Sequence, residues 1–424
     1  MKTETFFTLF WIIYYPLCIG FYEDNIGSLR NVDELMTLIL IAFTAIKYGR
    51  RTDNTCVKEA LTFVGIIFFY VVYSLILAVN VSDSVWLDLV QQVRPYSVIY
   101  CTWILTPKFS TRHKRMMLVS MLMTLGAWLV THYSAMANAE YPVLGQLAIT
   151  TAMTYYLFTK PTKRNRWIVV GILTVGLLSG KMKFVSEYVT FIAILFFLKK
   201  KINIESLKGS WRLILLAGVI VFFTWERFDA YYVRGWENNE LARPMTYKTS
   251  LKILRDYFPL GSGMGTFATN AAWKYYSPLY PKYGLDKVWG LDRGGGFICD
   301  AFYPSLAEFG VVGVFLFAVF WRRRLKQINI INNGRFYRVA LMSTACLALE
   351  SMADSSYLSG KGMGYFMLLG LCLASLKYQE KPKIAIVKEE EKNESDDGGL
   401  CTTEPRGSGI GHPNHGTDAA VERV

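Results

Sequence analysis

Twelve apolar runs divide most of this 424-residue chain, and they restrict its fold more than any other feature of the sequence. A helix rises about 1.5 Å per residue, so roughly 20 apolar residues cross the ~30 Å hydrocarbon core of a bilayer. The pattern predicts an all-α integral membrane protein with about 12 transmembrane helices, give or take one or two. The runs lie at residues 5–22, 33–48, 59–79, 85–105, 116–135, 141–158, 166–180, 184–198, 211–227, 304–320, 336–352 and 362–378. The seventh and eighth runs are short, which favours tilted or partly re-entrant segments.

The overall composition also favours a membrane protein. Hydrophobic residues make up 52% of the chain, aromatic residues make up 15%, and the mean hydropathy is +0.25, whereas a soluble surface needs more charge. The net charge of +13 is spread in short basic clusters between apolar runs, which argues against a nucleic-acid interface. The seven cysteines form no CxxC pair and only four histidines occur, so the sequence predicts neither a metal site nor a disulfide framework.

The basic clusters orient the predicted helices. Lys and Arg are concentrated in every second connection, whereas the connections between them are poor in both residues. By the positive-inside rule, both termini are cytoplasmic and the largest connection lies outside the cytoplasmic (inner) membrane. The predicted organisation is an N-terminal bundle of about nine helices (1–225), an extracytoplasmic loop with a surface helix (226–303), about three further helices (304–378) and a disordered cytoplasmic tail (379–424).

Arg94 departs from the apolar character of its run. It lies well inside the fourth predicted helix, where an arginine costs on the order of 2.5–3.5 kcal/mol in a bilayer. A side chain this unfavourable must face protein or water. The sequence leaves two interpretations open, which are a structural ion pair, for instance with Glu187, and a cation that faces a ligand.

Lys181 and Lys183 lie in a connection that the charge pattern places outside, where basic residues are disfavoured. A pair of lysines beside the membrane suits a phosphate ligand, because each ammonium acts as a point cation. Snorkelling toward lipid headgroups explains the pair equally well.

The predicted outer loop contains a helix followed by a glycine-rich turn. Apolar positions fall on one face between residues 246 and 258, which predicts a helix on or near the membrane surface. Pro259 ends this helix, and Gly261 and Gly263 begin a turn whose amides can approach an anion, although simple chain reversal is the commoner use. The Trp- and Tyr-rich stretch that follows suits sugar rings and also interfacial anchoring.

These segments resemble the O-antigen polymerase and ligase superfamily, membrane glycosyltransferases that polymerise or transfer glycans from a polyprenyl diphosphate carrier. The resemblance rests on ARPMTYKTSLKILRDYFPLGSGMGTFAT and DAFYPSLAEFGVVGVFLF, with basic residues similarly placed in QQVRPYSVIY and LLSGKMKF. It implies a helical membrane glycosyltransferase (GT-C-like) fold whose outer loop caps a cavity open to the bilayer. It also implies a polyprenyl-diphosphate-linked oligosaccharide as substrate, with a chain-length regulator and a flippase as further partners.

One departure from the superfamily bears on the reaction. Ligases of this superfamily usually place a His-Asn pair where this chain has Asp300 and Ala301. The resemblance therefore favours polymerisation over ligation.

Extending a glycan on such a carrier requires cations for the leaving diphosphate and a general base for the acceptor hydroxyl. Asp300 is the first candidate base, Glu308 the second and His132 a distant third. The candidates for binding the substrate and its diphosphate are Arg94, Lys181, Lys183, Arg243, Gly261, Gly263 and Arg293. The predicted outer segments contain no carboxylate cluster suited to Mg²⁺, so we expect a metal-independent reaction without a cofactor.

Other functions remain open beside the polymerase. A glycan ligase would use similar groups, and a lipid-linked-sugar flippase or transporter would also contain many helices and buried cations. Transporters divide their loops more evenly than this chain does, and a non-catalytic scaffold does not require a charge as unfavourable as Arg94. The sequence therefore favours a polysaccharide polymerase.

Overall fold

The structure is a computed structural model, and every regular element that it describes is helical. It describes residues 1–20, 32–48, 54–132, 141–198, 233–237 and 241–379, together with the single positions 218, 225 and 229. The helices, numbered in chain order, are α1 (Thr3–Tyr14), α2 (Val32–Tyr48), α3 (Asn54–Leu77), α4 (Ser82–Leu105), α5 (Thr111–His132), α6 (Pro142–Phe158), α7 (Lys163–Val175), α8 (Met182–Ile192), α9 (Arg234–Glu237), α10 (Ala242–Asp256), α11 (Asn270–Lys274), α12 (Leu279–Lys282), α13 (Gly310–Ile330), α14 (Gly334–Ala353), α15 (Gly360–Ala374) and α16 (Leu376–Gln379). Turns of π-helix extend α1 over Tyr15–Gly20 and α8 over Ala193–Phe197, and 3₁₀ turns occupy Gly176–Ser179, Leu285–Lys287 and Tyr303–Phe309.

Eleven of the twelve apolar runs coincide with described helices, and the twelfth, 211–227, lies outside the described residues apart from positions 218 and 225. The largest difference concerns the run at 304–320. A 3₁₀ turn occupies its first part, and α13 continues ten residues beyond its end. Polar residues such as Arg322 extend the helix, and hydropathy alone does not detect them.

Local sequence explains several helix boundaries. Thr162 caps α7, because its hydroxyl accepts a hydrogen bond from the Asn165 amide at 3.2 Å. Asn333 caps α14 in the same way, accepting from the Arg335 amide at 3.0 Å. Gly180 takes the left-handed conformation that ends the 3₁₀ turn before α8.

Among the described residues, three helices are long and apolar enough to cross a membrane, namely Cys56–Leu77, Thr111–His132 and Tyr303–Ile330. Large apolar side chains on the first of these point away from the protein, with Phe68 67% exposed and Ile76 79% exposed. A continuous apolar surface of this kind is unfavourable in water. These helices indicate a membrane protein.

Two helices form the centre of the bundle. Every residue of α15 is buried, and α6 is buried over nearly its whole length. Both helices are predominantly apolar, as expected of helices surrounded by other helices. Gly370 lets α15 approach α4 closely, because a Cβ atom there would lie 2.9 Å from Thr102 Cβ.

The described part of the predicted outer loop has an apolar cluster of its own, which includes Phe267, Tyr280 and Ile298. The predicted surface helix runs over Ala242–Asp256 rather than over residues 246–258. Its Ile253 is buried in that cluster, whereas Leu251 is 56% exposed. The helix is therefore anchored to the loop on one side and apolar on part of its free side.

Residues Met1–Lys377 form the first of two units into which the chain divides. The first unit contains both predicted helical regions and the loop between them. The predicted cytoplasmic tail, residues 379–424, lies outside the described residues apart from Gln379.

Candidate functional site

A cavity of about 230 Å³ lies where five segments of the chain meet, and we call it the polar cavity. Its walls are the start of α2, the middle of α4, residues 268–274, residues 299–302 and the connection between α14 and α15. Six charged side chains line it: Asp33, Glu34, Arg94, Lys274, Asp354 and Lys361. Three cations and three carboxylates thus converge on one small space.

Arg94 is held at the wall of the polar cavity by the first turn of α2. Its Nη1 atom lies 2.6 Å from Asp33 Oδ2 and donates to the Leu358 carbonyl oxygen at 2.7 Å. Its Nη2 atom lies 3.7 Å from Glu34 Oε1. Arg94 is therefore ion-paired, and it also lines the cavity, where it could face a ligand. The suggested partner, Glu187, is wrong, because α2 packs against α4 and places Asp33 there instead.

Arg243 and Asp300 form a salt bridge beside the polar cavity, with Arg243 Nη2 donating to Asp300 Oδ2. Asp300 directly follows Cys299, which lines the cavity. Burial raises the pKa of the Asp300 carboxyl above its ordinary value, although the Arg243 guanidinium opposes that rise. Burial also raises the pKa of the Cys299 thiol to about 11, so this thiol stays protonated at neutral pH. The Asp300 carboxylate is therefore more basic than an ordinary aspartate, and its salt bridge with Arg243 orients it.

Lys183 does not line the polar cavity but pairs with Asp354, which does. Its Nζ atom forms a salt bridge with Asp354 Oδ2 and lies 3.5 Å from Glu350 Oε2. Burial alone would raise the pKa of Asp354, but Lys183 and Lys361 outweigh it and hold that pKa well below its ordinary value. Asp354 therefore stays ionised between two ammonium groups. Lys181 begins α8 and does not line the cavity.

Glu308 has a structural role in the described protein. It is fully buried, and its Oε1 atom accepts hydrogen bonds from the Thr266 and Phe267 amides, each at 2.6 Å. The same atom accepts from the Thr269 hydroxyl at 3.2 Å. Glu308 does not line the polar cavity, so its geometry does not support the predicted role as a second base.

Gly261 and Gly263 are used for close packing rather than for binding an anion. Their amides donate to the carbonyl oxygens of Tyr257 at 2.8 Å and of Glu308 at 2.9 Å. Their φ angles are +83° and +88°, which favours glycine. A Cβ atom on Gly261 would overlap the backbone nitrogen of Gly310. The predicted anion contact is therefore corrected, because these donors already have partners within the chain.

Two other predicted residues lie apart from the polar cavity. Arg293 is exposed on the loop. His132 stacks on Trp128 with ring centroids 4.3 Å apart. Neither residue lines the cavity.

Sequence reasoning missed several residues of the site. Lys361 offered a signal, because it is a basic residue in a connection that the charge pattern places outside, as Lys183 is. Asp33 and Glu34 offered none, since acidic residues in the first turn of a helix are common. Lys274 and Asp354 likewise acquire meaning only when the fold brings their segments together.

Within the described ranges, no group of three or more His, Cys, Asp or Glu side chains is arranged to hold a metal ion. No protein-family model and no curated protein matches the chain. The chemistry of the polar cavity therefore carries the functional argument.

Proposed function

We propose that the chain is a polysaccharide polymerase that extends a glycan on a polyprenyl diphosphate carrier at the outer face of the cytoplasmic membrane. The supporting observation is the polar cavity, where Arg94, Lys274 and Lys361 converge beside the Arg243–Asp300 pair. The product is a surface glycan of the O-antigen, capsule or exopolysaccharide class. The substrate is an oligosaccharide repeat unit linked to the lipid diphosphate.

The three cations bind the leaving diphosphate. They come from α4, α11 and α15, so a diphosphate in the cavity meets positive charge on several sides. Arg94 is suited to bidentate contact with phosphate oxygens, whereas the lysines act as point charges. The carboxylates of Asp33, Glu34 and Asp354 orient these cations and offer acceptors for sugar hydroxyl groups.

Asp300 acts as the general base. The acceptor hydroxyl oxygen forms a bond to the anomeric carbon while the bond from that carbon to the diphosphate oxygen breaks. The electron pair leaves with the diphosphate, and the hydroxyl proton passes to Asp300. Burial makes the Asp300 carboxylate more basic, and Arg243 fixes its orientation.

The proposal includes the finer topology. About twelve helices cross the inner membrane, both termini are cytoplasmic, and residues 226–303 lie outside in a GT-C-like arrangement. The alternation of basic clusters supports this orientation, as do the described helices at eleven of the twelve apolar runs. The polar cavity then opens toward the outer loop, where lipid-linked repeat units are polymerised.

A deletion strain scored for glycan length tests the proposal. Loss of long chains with survival of capped single repeat units is the expected result. Loss of all surface glycan with accumulation of lipid-linked polymer would identify a ligase. Accumulation of lipid-linked repeat units on the cytoplasmic side would identify a flippase. Unchanged glycan length would overturn the assignment.

A further inference from the structure

Two glutamates touch inside the helix bundle, deeper than the polar cavity. Glu187 of α8 and Glu350 of α14 are each 1% exposed, and their carboxyl groups are in hydrogen-bond contact. A carboxylate can only accept hydrogen bonds, so a bond between two carboxyl groups requires a proton on one of them. The contact therefore holds one proton between the two side chains.

The surroundings of this pair are polar and specific. Gln146 Nε2 donates to Glu350 Oε1 at 2.5 Å and to the Ser356 hydroxyl at 3.2 Å. Lys183 Nζ lies 3.5 Å from the other Glu350 oxygen. Within the described residues, the titratable and charged groups near the pair are Lys183 on α8, Cys346 on α14, Tyr365 on α15, and Asp354 in the connection between α14 and α15.

Three buried oxygen atoms beside the pair form no hydrogen bond within the described structure. They are Glu187 Oε1, Gln146 Oε1 and the Tyr365 hydroxyl, all on residues that are at most 1% exposed. An unsatisfied buried polar atom costs about 1–3 kcal/mol, so three around one carboxyl pair call for an explanation. Oxygen atoms of this kind accept a hydrogen bond from a hydroxyl group or from a water molecule.

Carboxyl groups also outnumber ammonium groups by one around the pair. Glu187, Glu350 and Asp354 supply three carboxyl groups, and Lys183 and Lys361 supply two ammonium groups. Buried charges are stable when they are balanced. One added proton neutralises the cluster.

We propose that Glu187 and Glu350 form a buried proton-binding site, and that Lys183 and Asp354 connect this site to the polar cavity. Uptake forms one O–H bond on a carboxyl oxygen, and the second carboxylate accepts a hydrogen bond from it. Release leaves two carboxylates facing Lys183. The site does not depend on glycan transfer, because the proton that it holds exchanges with the cavity whatever reaction takes place there.

The connection consists of residues already in contact. Asp354 lines the polar cavity and forms a salt bridge with Lys183, which in turn reaches Glu350. Asp300 interacts electrostatically with both Asp354 and Lys183. A proton that enters the cavity therefore meets a continuous line of polar groups leading to the glutamate pair.

Infrared difference spectroscopy on the full chain in phosphatidylethanolamine–phosphatidylglycerol vesicles tests the site. At neutral pH we expect a protonated-carboxyl band that disappears in Glu187→Gln and in Glu350→Gln. Because one proton is shared, the double variant should lose no more of the band than either single variant. Other buried carboxyl groups, such as that of Glu308, absorb in the same region when protonated, so the variants are read as differences from the wild type.

Hydrogen–deuterium exchange of the same band tests the connection. Asp354→Asn should slow the exchange several-fold, because it removes the link to the cavity. Glu34→Gln is the matched control, since Glu34 lines the same cavity from α2 and is not part of the Lys183–Asp354 connection, so the exchange rate should stay unchanged.

Three results would overturn the proposal. The first is a full band in both Glu187→Gln and Glu350→Gln. The second is loss of the band on adding sodium at constant pH, which would make the pair a metal-cation site. The third is equal exchange rates in Asp354→Asn and the wild type. Thermal unfolding of each variant identifies any that has failed to fold, and the second glutamate variant then provides the same test.

Discussion

Arg243 and Asp300 form a salt bridge although 57 positions separate them in the sequence. Arg243 lies in the first turn of α10, and Asp300 lies near the end of the loop. The bridge therefore ties the two ends of the described loop together beside the polar cavity. A base at this position is oriented by the fold of the whole loop.

Replacing Asp300 should abolish chain extension while leaving the protein folded. We expect Asp300→Asn to lower the rate of extension by roughly 10²–10⁴-fold, the usual contribution of a general base. The measurement is glycan elongation from purified lipid-linked repeat units. Asp256→Asn is the control, because this carboxyl is on the loop surface, where it bonds Tyr283 at 2.9 Å. A normal rate for Asp300→Asn would remove this residue from the mechanism.

The pH profile should report the environment of Asp300. A base acts in its ionised form, so the rate falls as the pH falls through the pKa of Asp300. That pKa is raised above its ordinary value by burial, with Arg243 opposing the rise, so the acid limb lies higher than for an ordinary aspartate. Arg243→Gln removes the opposing charge and should move the acid limb to still higher pH. A shift to lower pH would contradict this electrostatic picture.

The predicted and observed site agree where the sequence carried a physical penalty. Arg94 and Lys183 stood out because each violates a rule for membrane proteins; Arg94 lines the polar cavity, and Lys183 pairs with Asp354, which lines it. Their partners were not predictable, because Asp33 and Asp354 are ordinary residues until α2 and the α14–α15 connection meet α4 and α8. The sequence shows which charges are unfavourable in a membrane, but only the fold shows which residues pair with them.

The helices themselves were largely predictable, because an apolar run long enough to cross a bilayer has few other stable conformations. The glycine-rich turn was not. Gly261 was recognised as a turn residue, but its use depends on Glu308 and on α13, which lie more than 40 positions away. Contacts of this kind join segments that are distant in the chain, so the local sequence does not predict them.

Arg94 should have separable structural and functional roles. Arg94→Ala leaves the buried Asp33 carboxylate unpaired and should lower the free energy of unfolding by about 3–5 kcal/mol. The double variant Arg94→Ala/Asp33→Asn should recover much of that stability but not chain extension. Thermal unfolding in detergent and glycan length measure the two effects. Long glycan from the double variant would show that Arg94 serves only as half of an ion pair.

Glu308 should matter for stability rather than for catalysis. Glu308→Gln weakens the acceptor of two buried backbone amides and should destabilise the protein by about 1–3 kcal/mol. The rate of extension per folded molecule should stay near that of the wild type. Asp292→Asn is a matched control, because Asp292 also accepts a loop amide, at 3.2 Å from Gly290, but on the exposed side. A large fall in rate without loss of stability would restore Glu308 as a base.

Two glycine-to-alanine substitutions should distinguish the conformational cost of a positive φ angle from the cost of a steric overlap. Gly261 and Gly284 both have positive φ angles, +83° and +70°. At Gly284 nothing lies within 4 Å of an added Cβ atom, so Gly284→Ala should cost only the conformational penalty of about 1–2 kcal/mol. Gly261→Ala adds an overlap with the backbone of Gly310 and should be much more destabilising. Equal unfolding temperatures for the two variants would refute this close packing.

Cysteine labelling in intact cells should test the predicted orientation. Gly296 is an exposed loop position where an added side chain meets nothing within 4 Å, and Ser110 is exposed in the connection before α5. A membrane-impermeant maleimide should label Gly296→Cys in intact cells and Ser110→Cys only after permeabilisation. The reverse pattern would invert the topology and place the polar cavity on the cytoplasmic side.

The mutual contact of Gly261 and Gly310 also limits how this protein can evolve. A side chain at either position would overlap the backbone of the other, so no change at one position compensates a change at the other. Both positions are therefore expected to stay glycine in any descendant that keeps this loop on α13. The spacing between these two glycines can lengthen or shorten with the loop, which makes the pair a better marker of common ancestry than the sequence between them.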